Sequence, residues 1–218
     1  MLSTLHVDVY GEKGMRDAIE DVLRRAGVSA SKLRHEQLSA IDDMLDTLLP
    51  TQHGGKGEPG VLFVRHQGFG KTRTLGALMV ALAHILHIQL RVFVLLPNVL
   101  VDTWRAELCE IIPVASVREY RGGAGVKSDR GREKLRQSTR ANFMLVTNGI
   151  FRTEFTRRNR SEIWAPETES PSRTWELFVV DEAHYLRTEH RQLFRATMQS
   201  RGHWFSDAGK CVLTTATP

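Results

Sequence analysis

Two clusters of residues, far apart in the chain, have the types and spacing for phosphate chemistry. The first is Gly68-Phe69-Gly70-Lys71-Thr72, which follows the apolar run Val61–Val64 and precedes a long apolar helix pattern. Strand, glycine turn, Lys-Thr and helix in that order predict a phosphate-binding loop. Gly68 and Gly70 let backbone N–H groups approach phosphate oxygens without a Cβ in the way. The helix adds unpaired N–H groups and the positive end of its dipole. Lys71 would reach the β- and γ-phosphates, and the Thr72 hydroxyl would ligate magnesium. The candidate nucleotide contacts in this loop are Gly68, Phe69, Gly70, Lys71, Thr72 and Arg73. The second cluster is Asp181-Glu182, into which the apolar strand Phe178-Val179-Val180 empties. Asp181 would hold magnesium through water, and Glu182 would orient and deprotonate the attacking water. Together the clusters predict hydrolysis of a nucleoside triphosphate with Mg2+ as cofactor.

The elements that must position these residues follow from periodicity. Apolar residues at helical spacing predict helices over Met15–Gly27, Leu33–Leu49, Thr72–His87 and Val101–Ile112. Short apolar runs predict strands at Val61–Val64, Arg91–Leu96, Val114–Tyr120, Phe143–Thr147, Leu177–Val180 and Lys210–Thr214. A polar helix is expected over Asp129–Ser138, a short helix after Thr147 through Phe155, and a further helix over Thr188–Ser200. Arg157–Thr174 is polar, holds two prolines and has no period, so it reads as an exposed insertion. Arg201–Gly209 reads as a loop. Alternating strands and helices imply a parallel sheet with helices on both faces, an α/β fold. Ligands bind such sheets at the carboxyl ends of the strands, where all the polar motifs fall.

Composition excludes some classes of function. At 218 residues the chain can bury a full core as one large domain, or at most two small ones. Its most apolar run, Leu75–Ile88, carries His84 and His87 and is too short for a membrane span. The first residues lack a signal peptide's basic start and apolar centre. Cys109 and Cys211 make neither a metal spacing nor a disulfide framework, so an intracellular setting is expected, nuclear in a eukaryote and cytoplasmic otherwise. The overall charge of +5 is concentrated. Arg118 to Arg160 hold twelve Lys or Arg and four Asp or Glu, a local +8 that leaves −3 for the rest. Such a segment suits a polyanion, and Arg130, Arg132 and Arg136 are its candidate nucleic-acid contacts. A solvated basic face would give the same composition.

Asp181-Glu182-Ala183-His184 matches the DEAH form of motif II in superfamily 2 helicases and translocases. Leu213-Thr214-Thr215-Ala216-Thr217-Pro218 resembles their motif III, and Leu33-Arg34-His35-Glu36-Gln37 resembles their adenine-reading Q-type motif. Leu95–Leu108, with a proline turn and Trp104-Arg105-Ala106-Glu107-Leu108, is similar to motif Ia of Swi/Snf-type ATPases. Leu145–Phe151 sits where motif Ib belongs. The chain departs from the family at Arg65, where Gly, Ala or Asp is common, and at His35-Glu36, which replace Pro-Tyr. Thr215-Ala216-Thr217 also departs from the Gly-Thr-Pro of the Swi/Snf branch.

The resemblance implies a RecA-like lobe over residues 33–218, preceded by a helical extension over 1–32. It implies that the nucleotide is ATP, that Gln37 reads adenine, and that His184 contacts Thr215 and Thr217 of motif III to couple ATP state to nucleic-acid binding. It implies that Asn98 and Thr147 touch a nucleic-acid backbone, DNA being favoured over RNA. It further implies a second RecA-like lobe, absent from this chain, that supplies the arginine finger, so that the first lobe alone is a weak enzyme. An RNA motor, a nucleotide-gated scaffold without motor chemistry, and a P-loop ATPase or kinase without nucleic acid remain open on the residues. A last expectation concerns sheet order: the strand Cys211–Thr214 inserts between Val61–Val64 and Leu177–Val180.

Overall fold

The computed structural model describes residues 12–28, 32–88, 90–112, 117–120, 143–151, 175–186 and 205–216. Helices α1 (Glu12–Arg25) and α2 (His35–Leu48) precede strand β1 (Gly60–Val64). Helix α3 (Lys71–Leu86), β2 (Val92–Leu96), α4 (Val101–Ile111), β3 (Val117–Tyr120) and β4 (Phe143–Thr147) follow. Strands β5 (Trp175–Val180) and β6 (Phe205–Thr215) complete one six-stranded sheet of order β1-β6-β5-β2-β4-β3. Every pairing is parallel. The α/β reading and the insertion of β6 between β1 and β5 therefore both hold.

The sheet sorts its residues by the alternation of a pleated strand. Val92, Val94 and Leu96 of β2 join Leu145, Leu177, Val179 and Val212 in the larger core, against α1 to α4. Phe93 and Leu95 point to the opposite face, with Met144, Val146, Phe178 and Val180. There Phe151, from the helical turn 148–151, packs beside Trp175. The N-terminal helix is part of the fold, since Ile19 and Leu23 are buried in the larger core.

One expected boundary is corrected. Residues 205–209 are strand and not loop, because β6 continues back to pair Phe205 with Trp175. The register jumps between Trp175↔Phe205 and Leu177↔Lys210, so the extra β6 residues form an irregularity. Ser206, Asp207 and Gly209 are turn-type residues, and only the neighbouring strand recruits them. The expected helices over Asp129–Ser138 and Thr188–Ser200 and the insertion over Arg157–Thr174 lie outside the described residues. No described helix is long and apolar enough to cross a membrane.

Phe93 is 1% exposed and its ring centroid lies 5.8, 5.7 and 5.5 Å from those of Phe151, Trp175 and Phe178. Phe93→Ala should therefore cost about 3–5 kcal/mol of stability, read by chemical denaturation. A loss below about 1 kcal/mol would contradict the packing of this face.

Candidate functional site

The phosphate loop leaves β1 at Val64 and enters α3 at Lys71. Gly68 and Gly70 both adopt left-handed backbone, at φ 79 and 82. The first intrahelical bond of α3 runs from the Thr74 N–H to the Gly70 carbonyl at 3.0 Å. The amides of Lys71 and Thr72 thus lie at the start of the helix, before its internal ladder, where an anion finds donors. Lys71 Nζ donates to the Arg65 carbonyl at 3.2 Å, which holds the amine over the loop. Thr72 is half-buried beside it.

The loop is held from outside by the start of α2. Gln37, 3% exposed, accepts the Arg34 N–H on Oε1 at 2.8 Å. That bond caps α2 from its third residue. The Gln37 Nε2 group donates to the Phe69 carbonyl at 2.8 Å, and at 3.5 Å to that of Gly70. Arg34 also donates to the carbonyls of Phe69 and Gly68. The Phe69 ring is buried, and the guanidinium groups of Arg34 and Arg65 each lie 5.6 Å from its centroid. Phe69 is thus an anchor for the loop, and its own N–H turns to the His66 carbonyl at 3.3 Å. Arg65 anchors the loop as well, since its N–H donates to the Thr215 carbonyl at 3.2 Å. Arg73 points elsewhere: its guanidinium pairs with Glu110 of α4 at 2.8 Å. There it borders a cavity of about 140 Å3, with Lys32, Leu33, Ala77 and Ile111.

The acids stand at the carboxyl end of β5. Asp181 is 5% exposed, and burial pushes its pKa up. The Trp104 indole, the Glu182 N–H and the Lys71 charge oppose that shift. Trp104 Nε1 donates to Oδ2 at 2.6 Å, and the Glu182 N–H to Oδ1 at 2.9 Å. Glu182 itself has φ 52, a left-handed backbone that costs a non-glycine residue about 1 kcal/mol or more. His184 Nδ1 lies 3.1 Å from Glu182 Oε2 and 3.3 Å from Thr215 Oγ1. The expected contact between His184 and the end of β6 is present at Thr215, while Thr217 lies outside the described residues.

The donor set fits a magnesium nucleotide. One side offers glycine-shaped backbone, helix-start amides and Lys71. The other offers a buried carboxylate whose charge Lys71 favours. Two further residues differ in reach. Asn98 is exposed at the turn after β2, but Thr147 is only 4% exposed. Thr147 ends β4 opposite Leu96 of β2, and its side chain is buried. Arg130, Arg132 and Arg136 fall outside the described residues.

Sequence reasoning missed Trp104 as a partner of Asp181. It missed Arg34 too, and Glu107, whose carboxyl is pushed up by burial and drawn back by Arg73. The available signal was the i, i+3 pair Trp104 and Glu107, on one face of a helix that follows a sheet strand.

Residues 30–218 match the family described as the type III restriction enzyme, res subunit. The chain belongs to this family. As a res-subunit-family domain it falls among superfamily 2 helicase-type proteins, and its fold is that of their first RecA-like lobe. The fold is similar to the Sulfolobus solfataricus SWI2/SNF2 ATPase core solved in complex with dsDNA, at a TM-score of 0.57 and 18% identity. The match covers 85% of this chain and 32% of that one, so this chain spans about a third of the larger protein's length. No curated protein matches the chain in sequence.

Gly70 and Gly68 should respond differently to alanine. A Cβ at Gly70 would stand 2.5 Å from Gln37 Nε2, whereas at Gly68 nothing lies within 4 Å. Both changes pay the left-handed penalty of about 1 kcal/mol. Gly70→Ala should lose more than that and weaken nucleotide binding by displacing Gln37. Equal losses by denaturation and by nucleotide titration would contradict the clamp.

Proposed function

We propose that this chain is the ATP-binding lobe of a nucleic-acid-dependent ATPase, a helicase or translocase acting on DNA in preference to RNA. The observation that carries the reading is the chain of contacts Glu182–His184–Thr215, at 3.1 and 3.3 Å. It ties a base beside the phosphate loop to the exit of β6. A phosphate-binding domain without motor function has no use for that link. The dsDNA bound to the SWI2/SNF2 core is the reason for favouring DNA. Residues 33–218 form the lobe and 1–32 its extension, and a second RecA-like lobe completes the enzyme. An intracellular setting goes with this reading.

In this proposal Lys71 and the amides of the loop hold the phosphates, and Gln37 and Arg34 keep that loop in shape. Thr72 and Asp181 hold the magnesium ion, Asp181 through water. The ion, when bound, neutralises charge on the β- and γ-phosphate oxygens. Glu182 takes the proton of the attacking water, and His184 keeps its carboxylate aimed. Loss of the γ-phosphate changes what Glu182 and His184 contact, and Thr215 carries that change toward the second lobe. Asn98 and the basic segment around Arg130, Arg132 and Arg136 hold the nucleic-acid backbone.

Lys71→Ala should abolish tight ATP binding while shifting stability by only about 0.5 kcal/mol, as loop changes do. Glu182→Gln should retain ATP and Mg2+ binding and stop turnover in the protein that also contains the second lobe. Unchanged nucleotide affinity in the first variant, or turnover in the second, would refute the assignment.

For nucleic acid, log affinity should fall with log salt by about 0.9 per neutralised phosphate on duplex DNA. Replacing Arg130, Arg132 and Arg136 together should flatten that slope, measured by fluorescence anisotropy. An identical slope would reduce the segment to a solvated face.

A further inference from the structure

Trp104 lies in the second turn of α4 and is 1% exposed. Packing alone would be served by any large apolar side chain. The indole differs by one N–H, and that N–H makes a 2.6 Å bond to Asp181 Oδ2 across 77 residues of sequence. That distance makes the bond a direct and short one. The other oxygen, Oδ1, accepts the Glu182 N–H at 2.9 Å. Donors on both oxygens fix the rotation of the carboxylate, which a single donor would leave free. One donor belongs to the acid's own turn. The other comes from a separate helix whose start follows the exposed turn Asn98–Leu100.

We propose that Trp104 is a positioning residue for the magnesium site: its indole N–H sets the orientation in which Asp181 presents its carboxylate to the metal's water shell. This rests on the assignment of Asp181 as the magnesium-holding acid. Outer groups that orient metal-holding carboxylates typically govern about 10- to 100-fold in metal affinity. The indole N–H therefore has a measurable consequence separate from the volume it brings to the core.

The test is Trp104→Phe in this chain, which removes the N–H and keeps an aromatic ring. A fluorescent ATP analogue is titrated at increasing Mg2+, and again in EDTA. The Mg2+ concentration for half-maximal binding should rise about 10- to 100-fold, with metal-free affinity unchanged. A shift within about twofold would overturn the proposal. Asp181→Asn in the same assay separates the two claims. If it abolishes the Mg2+ dependence while Trp104→Phe leaves it intact, the proposal falls and the magnesium assignment stands. If Asp181→Asn changes nothing, the assignment fails and the proposal with it. A second readout leaves Trp104 in place, in case the phenylalanine variant does not fold. The chain has four tryptophans, so its indole N–H proton resonances are few. Asp181→Asn should move one of them upfield, because a charged acceptor has become neutral. Indole resonances that all stay in place would overturn the proposal.

Discussion

Strand β6 pairs with β1 on one side and with β5 on the other, and the rest of the site depends on that double pairing. The phosphate loop leaves β1 and the acids leave β5, and the single strand between them fixes their separation. The register sets that distance: Val64 stands opposite Thr215, and Val180 opposite Leu213. Three chain exits then open at the carboxyl end of the sheet. Parallel pairing on both sides leaves β6 little freedom, which makes Thr215 a stable reference for His184.

A second constraint is the charge kept inside. Asp181 is almost wholly buried, and an isolated carboxylate there would cost several kcal/mol. Two N–H donors and the nearby Lys71 charge offset that cost. The same turn stores strain at Glu182, whose left-handed backbone is sustained by its N–H bond to Asp181 and its contact with His184. Strain of this kind at a polar site, held in place by its surroundings, aims a side chain at a reacting group. The phosphate loop is stabilised by a different route. Beside its own anchors, α2 reaches in with Gln37 and Arg34 to hold its carbonyls.

Family and fold agree with this arrangement at different depths. Membership in the res-subunit family covers nearly the whole chain, while the likeness to the SWI2/SNF2 core is one of fold. Glu182, His184 and Thr215 form the local link between the acid turn and the end of β6. Arg65 shows how the chain absorbs a departure from the family's usual loop. Its side chain stacks on Phe63 and Phe69, and its backbone reaches β6. The outer turn is thereby tied to the sheet without a glycine.

Much was legible in the sequence because its signals are local. Apolar runs of four or five residues marked the strands, helical spacing marked α2, α3 and α4, and Gly-Phe-Gly-Lys-Thr marked a turn that needs left-handed backbone. The pair Asp181-Glu182 announced its acids by following an apolar strand. The sequence did not determine which distant groups would meet. The bond from Trp104 to Asp181 and the engagement of both Gln37 amide groups join residues separated by tens of positions, and no periodicity encodes them. The same holds for the pairing that recruits residues 205–209 into β6 and for the burial of Thr147. A turn-type residue becomes strand when a neighbouring strand offers its backbone partners. A polar residue is closed off when packing covers the face of the sheet to which it points. Local pattern determined the elements and the chemical inventory. The packing of α4 and β6 decided which of those groups act together, because hydrogen bonds between distant segments exist only once the sheet has fixed their separation.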